Sequence, residues 1–189
     1  ARGSREQVIN NYLRAADCLA GLGRKEAMLD VYERAVRFAP DSSVIYSYMG
    51  YRLSEFGDSE AAIMACTKAI ELDPDNVIAW VNRGWTYQGT GETGKAMDDY
   101  DKALEIAPGD IKALMNRANL SMKLNLYRGA LDDLEAAFAI DPGSAEIMRL
   151  LGMAKYKTGD REGARSELVK AAALGDTEAG EMLEQFYRE

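Results

Sequence analysis

Residues 77–110 read VIAWVNRGWTYQGTGETGKAMDDYDKALEIAPGD, and the spacing of residue types in this segment recurs along the 189-residue chain. The segment contains Pro108, and the other prolines lie at intervals of 34 residues: Pro40, Pro74 and Pro142. Proline ends a helix because it lacks the N–H donor and its ring clashes with the preceding turn. A helix-breaking residue at a constant interval therefore indicates one structural unit that is used repeatedly.

The prolines divide the chain into five frames in which matching positions carry matching residue types. The frames are 9–42, 43–76, 77–110, 111–144 and 145–178, with Asp176 at the proline position of the fifth. Position 8 is always small: Ala16, Gly50, Gly84, Ala118 and Gly152. Position 15 holds the residues that best accept a left-handed conformation: Gly23, Gly57, Gly91, Asn125 and Gly159.

Each frame therefore predicts two antiparallel helices that are joined by a turn at position 15. Small residues at positions 8, 20 and 27 let the two helices approach closely, and Met28 is the one larger residue among them. A polar N-cap precedes each new pair: Ser42, Asn76, Asp110 and Ser144. We expect residues 1–8 to extend the first helix and residues 179–189 to form a capping helix.

The pattern over residues 9–178 resembles the tetratricopeptide repeat family. Leu114 and Met148 depart from the family's aromatic residue at position 4, and neither affects the expected fold. The resemblance implies an all-α, right-handed solenoid of tandem 34-residue helix–turn–helix repeats. It also implies a non-enzymatic scaffold or adaptor that binds other proteins.

Composition excludes several classes of function. The chain has no histidine, which removes the commonest general base and every His-ligated metal site. Its 31 acidic and 23 basic residues give a net charge of −8, which argues against nucleic-acid binding. No apolar run is long enough to span a membrane. We therefore expect no cofactor, no metal, no nucleic acid and no membrane insertion.

Two local patterns invite a chemical interpretation, and the repeat explains both. The glycines of residues 89–96 resemble a phosphate loop, but Ala96 stands where such a loop needs Ser or Thr, and the segment matches the turn of the frame. Arg occurs at position 7 only where Asp occurs at position 23, which predicts Arg83–Asp99 and Arg117–Asp133 pairs between the helices of a unit. Cys18 and Cys66 are expected to face the core as small apolar residues.

A partner would lie in the concave groove that the first helices of stacked units line. Positions 2, 5, 6 and 9 should face it, including Leu13, Asp17, Ser47, Val81 and Leu150. Tyr48, Tyr51 and Trp85 supply large rings, while Asn82, Asn116 and Asn119 supply amides that suit a peptide backbone. The predicted groove residues also include Lys112, Met115 and Arg149.

The predicted function is therefore peptide binding by a scaffold, with a self-assembling homo-oligomer as the alternative. In that alternative the groove holds the chain's own terminus or that of a neighbour. Some members of the family bind chaperone C-termini through a five-residue carboxylate clamp. Of that clamp only Asn82 and Lys112 match here, so a full co-chaperone clamp is not expected.

Overall fold

The computed structural model describes residues 2–187, with side chains from residue 4 onward, and within this range the secondary structure is all helical. The helices are α1 (Arg2–Gly21), α2 (Lys25–Phe38), α3 (Ser43–Glu55), α4 (Ser59–Leu72), α5 (Val77–Thr90), α6 (Thr93–Ile106), α7 (Ile111–Lys123), α8 (Tyr127–Ile140), α9 (Ala145–Thr158), α10 (Arg161–Ala173) and α11 (Thr177–Tyr187). They form two compact units, one ending at Ile106 and the other beginning at Ala107. No helix within residues 2–187 is long and apolar enough to cross a membrane.

The turns and helix caps lie at the positions that the 34-residue frames predict. Gly23, Gly57, Gly91, Asn125 and Gly159 all adopt positive φ, as predicted. Each proline lies two residues beyond the end of a helix, since α2, α4, α6 and α8 end at residues 38, 72, 106 and 140. The side chains of Asn76, Asp110 and Ser144 accept hydrogen bonds from the first turns of α5, α7 and α9. Ser42 occupies the N-cap position of α3 but its side chain makes no capping hydrogen bond.

Close approach within each helix pair depends on the small residue at position 8. A Cβ added to Gly84 would lie 2.8 Å from the Tyr100 ring, and one added to Gly152 would lie 2.8 Å from Leu168. At Gly50 it would collide with the Cys66 sulfur. In these three pairs the larger partner comes from position 24 of the second helix, so each pair combines a small residue with a larger one across its interface.

The predicted Arg–Asp pairs are present and bidentate. Arg83 donates to the two carboxylate oxygens of Asp99 at 2.9 and 2.8 Å, and Arg117 donates to those of Asp133 at 2.9 and 2.6 Å. Asp99 and Asp133 are 4% and 5% exposed, so each carboxylate depends on its guanidinium for compensation.

The prediction for Cys66 is confirmed, whereas the prediction for Cys18 is wrong. Cys66 is buried, and burial raises the pKa of its thiol to about 12. Cys18 is exposed. Cys18 occupies position 10 of its frame. The equivalent residue in α5 is Thr86, which is buried and donates a hydrogen bond to Ser54 of the preceding helix pair. Cys18 lies on α1, and residues 2–187 contain no helix pair that precedes α1.

Helix α11 covers the apolar end of α10. Ala179 is buried, and Met182, Leu183 and Phe186 pack against Leu168 and its neighbours. The Phe186 ring stacks on Tyr156 with centroids 4.1 Å apart. Residues 188 and 189 of the expected capping helix, and residue 1 of the expected N-terminal extension, lie outside the described residues.

Candidate functional site

In the first unit, two equivalent helices present one face that carries all three of the aromatic residues predicted for the groove. Along α3 this face holds Val44, Tyr48 and Tyr51, and along α5 it holds Ile78, Asn82 and Trp85. We call these six residues the α3–α5 face. Spacings of four and three residues place each set on one side of its helix, and α3 packs against α5.

Tyr51 and Trp85 form an aromatic pair on the α3–α5 face. Their ring centroids are 5.8 Å apart with an interplanar angle of 39°. Trp85 keeps 36% of its surface exposed although Tyr51 covers part of it, and Val44 and Ile78 are 44% and 47% exposed. The face is therefore an apolar surface that is already assembled and open to solvent.

Asn82 connects the two helices. Its Nδ2 donates to the backbone carbonyl of Ser47 at 3.0 Å, so one of its two N–H donors is used within the chain. Ser47 itself is buried, as are Leu13 and Val81 at the same position 5 and Leu150 at position 6. The prediction that these four residues face a groove is wrong, because their side chains pack into the interior between helices.

A charged cluster beside Tyr51 includes two residues that the sequence analysis missed, Arg52 and Glu55. Arg52 donates to Asp17 at 2.9 Å and to Glu55 at 2.6 Å, and its guanidinium lies 5.1 Å from the centroid of the Tyr51 ring. Burial lowers the pKa of Arg52, but hydrogen bonds to Glu55 and Asp17 together outweigh burial, so that the pKa is raised. Burial raises the pKa of Tyr51, and the neighbouring Glu55 carboxylate adds to the rise.

The contact between Arg52 and Asp17 could have been predicted from the sequence, because polar residues that are 35 positions apart meet between consecutive first helices. Arg52 and Asp17 are separated by 35 residues, and so are Asn82 and Ser47. In both cases the contact joins neighbouring positions of two consecutive first helices. A search for complementary polar residues at this spacing would have paired Arg52 with Asp17.

The remaining predicted residues lie in the second unit. Lys112 is exposed at the start of α7, whereas Asn116 and Asn119 further along it are half-buried. Met115 packs against the core cluster of Ala118 and Leu134. Arg149 is held by ion pairs of 3.0 Å to both Asp176 and Glu178 at the start of α11. Asp176 also caps α11 by accepting a hydrogen bond from the Ala179 N–H. Arg149 thus has a structural role in joining α9 to α11.

The glycine-rich pattern that resembled a phosphate loop has a structural explanation. Gly91 follows α5 in the left-handed conformation and α6 begins at Thr93, so residues 89–96 comprise the end of α5, a two-residue turn and the first turn of α6. Within residues 2–187 no group of three or more acidic or cysteine side chains is arranged to hold a metal ion.

Comparison with protein families gives a consistent result along the chain. Family models for the tetratricopeptide repeat match residues 9–42, 45–76, 77–110 and 122–185. No curated protein sequence matches the chain.

Several solved structures have a similar fold. PilF of Pseudomonas aeruginosa is 14% identical with a TM-score of 0.82, over 97% of this chain and 94% of that one. A thermophilic TPR protein of Thermus thermophilus is 19% identical with a TM-score of 0.72, over 94% and 97% of the two chains. YrrB, a TPR protein with an unusual peptide-binding site, is 19% identical with a TM-score of 0.70, over 98% and 100%. At these identities the likeness concerns the fold alone, and it confirms the predicted all-α helical-repeat architecture.

Proposed function

The chain belongs to the tetratricopeptide repeat family, and we propose that it is a protein–protein interaction scaffold that binds an extended peptide segment of a partner on the α3–α5 face. The observation that carries this proposal is the exposed Trp85 ring against Tyr51. Large aromatic residues that remain partly exposed at the centre of a surface are typical binding hot spots. The description of YrrB as a TPR protein with a peptide-binding site supports the proposal by analogy of fold.

The α3–α5 face is well suited to peptide binding because its side chains are already held in place. Tyr51 contacts the Trp85 ring and the guanidinium of Arg52, which is itself held by two carboxylates. Asn82 is fixed by its hydrogen bond to Ser47. Less conformational entropy is lost on binding when the contacting side chains are ordered beforehand.

The proposal can be tested by selecting peptides from a displayed library of random dodecapeptides with the wild-type chain as bait. The affinity of the selected peptides, each carrying a fluorescent label, is then measured by fluorescence anisotropy, which requires no tryptophan in the chain and so applies equally to every variant. We expect Trp85→Ala to weaken binding by at least about tenfold. Met64→Ala on α4 is the matched control, since Met64 is 68% exposed in the same unit but lies outside the α3–α5 face.

Each result identifies a different surface. Peptides that bind wild type and Trp85→Ala equally would refute the proposal. If Asn116→Ala alone weakens binding, the site belongs to α7, where Lys112 and Asn119 also lie. Self-association is tested by light scattering, and a mass that rises with concentration in wild type but not in Trp85→Ala would favour the homo-oligomer instead.

A further inference from the structure

The α3–α5 face carries hydrogen-bond donors beside its aromatic rings. Trp80 donates its indole N–H to the Pro74 carbonyl at 2.8 Å, whereas the indole N–H of Trp85 has no acceptor among the described residues. Asn82 keeps one N–H for a ligand, because only the other is donated to Ser47. A ligand on this face therefore meets two N–H groups that require acceptors, and peptide carbonyls are suitable acceptors.

The charge of the α3–α5 face favours an uncharged segment. None of its six residues is charged. Arg52, whose guanidinium lies 5.1 Å from the centroid of the Tyr51 ring, already donates to Asp17 and Glu55. An ionised group that loses its hydration without gaining a partner is strongly destabilised, so charged side chains are disfavoured where the ligand lies on the rings.

The free donors also favour one backbone conformation of the ligand. An α-helix uses its carbonyls internally, so only those at its end could accept hydrogen bonds from Trp85 and Asn82. A β-strand pairs with the edge of a sheet, and residues 2–187 contain no strand. The polyproline II helix has no internal hydrogen bonds, so its carbonyls are all available. Proline within it has no N–H and therefore needs no acceptor on the face.

The spacing of the two helices fits the same conformation. Helices α3 and α5 pack against each other, and packed helices have axes about 8–10 Å apart. The polyproline II helix rises about 3.1 Å per residue with three residues per turn, so residues i and i+3 lie on one edge about 9 Å apart. In a β-strand the nearest residues on one side are only about 7 Å apart. A polyproline II segment that crosses from α3 to α5 therefore presents equivalent residues to the two helices.

From these observations we infer that the α3–α5 face binds a proline-rich segment in the polyproline II conformation, with two prolines three residues apart. One proline ring packs against Tyr48 and Tyr51, and the other packs against Trp85. Carbonyls of the segment accept hydrogen bonds from Trp85 Nε1 and Asn82 Nδ2. The conformation is largely formed before binding, which reduces the loss of entropy. The inference rests on the proposed function, because it uses the same surface.

The test uses the labelled peptides selected by the wild-type chain whose binding depends on Trp85. We expect these peptides to share two prolines at positions i and i+3. Replacing either proline with alanine removes the ring and restores an N–H, and it should weaken binding by at least about fivefold in fluorescence anisotropy.

A variant of the chain tests the indole donor separately from the aromatic ring. Trp85→Phe keeps an aromatic ring and removes the N–H, so it should weaken binding of the proline peptides by about fivefold. Trp80→Phe is the matched control, since it removes an indole N–H from the same helix but outside the α3–α5 face, and it should leave the affinity unchanged. Circular dichroism and thermal melts establish that each variant is folded.

The possible results distinguish the two proposals. Trp85-dependent peptides that lack the proline pair, or that tolerate alanine at both prolines, would overturn the polyproline II assignment while peptide binding on the α3–α5 face stands. Peptides that become helical on binding, or an affinity that Trp85→Phe leaves unchanged, would overturn it as well. If no selected peptide depends on Trp85, the proposed function fails and the polyproline II assignment fails with it.

Discussion

The α1/α2 and α5/α6 helix pairs have the same plan but differently built interiors. Each buries a tyrosine at the same position of its second helix, Tyr32 and Tyr100, against a small residue of its first helix. In α5/α6 the tyrosine hydroxyl has a partner, and a bidentate ion pair crosses between the helices. In α1/α2 the hydroxyl has none, and alanine and valine stand at the two positions of the ion pair.

The difference separates what forms the helix pair from what is added to it. Both pairs form, so the small residue at position 8, the turn glycine and the proline suffice for the architecture. The polar interactions of α5/α6 are optional additions, and within that pair they must be complete because the groups are buried. Exchanging features between the two pairs therefore tests which groups depend on each other.

The largest effect is expected from breaking the ion pair of α5/α6. Asp99→Ala leaves the guanidinium of Arg83 without its carboxylate in a half-buried site, and we expect it to lower the free energy of unfolding by about 3–5 kcal/mol. The double variant Arg83→Met/Asp99→Ala reproduces the apolar type of interior and should lose less than Asp99→Ala alone. Denaturation by urea of the four members of the cycle measures both quantities.

Additive losses in this cycle would contradict the interpretation, since they would mean that Arg83 and Asp99 act independently. The hydrogen bond of Arg83 to Thr67 at 3.1 Å supplies a control. Thr67→Val removes that bond while leaving the carboxylate in place, and its effect should be small compared with that of Asp99→Ala.

A smaller effect is expected from crowding the interface between α5 and α6. In Gly84→Ala the new methyl group lies 2.8 Å from the Tyr100 ring, which must move away from Gln88, and we expect a loss of about 1–3 kcal/mol. Gly89→Ala is the matched control on the same helix, because no heavy atom lies within 4 Å of the added group. It should raise stability by up to about 1 kcal/mol through helix propensity.

Thermal melts of the two glycine variants decide whether position 8 is a packing requirement. Equal shifts of Tm in the same direction would show that glycine acts there only through backbone entropy. The close approach of helices would then have another cause.

The comparison also shows which features the sequence could predict. The helix pairs and the Arg83–Asp99 pair were predictable because their residues recur within a single frame, where every position can be checked against its equivalents. The burial of position 10 was not, because it depends on the preceding pair: Thr86 is covered by Ser54, whereas Cys18 is exposed.

Only the aromatic residues of the candidate site were predictable from the sequence, because its other contacts also join residues of different frames. Tyr51 and Trp85 stand out as large rings at positions that no core requires. The cluster of Asp17, Arg52 and Glu55 arises from the register between α1 and α3, and contacts between frames are not visible in the pattern of one frame. The missing partner of Tyr32 likewise becomes apparent only beside the Tyr100–Gln88 bond.

The smallest effect is expected from exchanging the tyrosine partners of the two pairs. Gln88→Ala gives α5/α6 the unpartnered hydroxyl of α1/α2 and should lower the free energy of unfolding by about 1–2 kcal/mol, whereas Ala20→Gln at the equivalent position of α1 supplies an acceptor to Tyr32 and should raise it by about 1 kcal/mol. Tyr32→Phe provides the control, because without the hydroxyl the gain from Ala20→Gln should disappear. Urea denaturation of these variants at one pH measures all of the changes. A gain from Ala20→Gln that persists in the Tyr32→Phe background would mean that the glutamine stabilises α1 by itself, and the two tyrosines would then not be equivalent in the way that the comparison assumes.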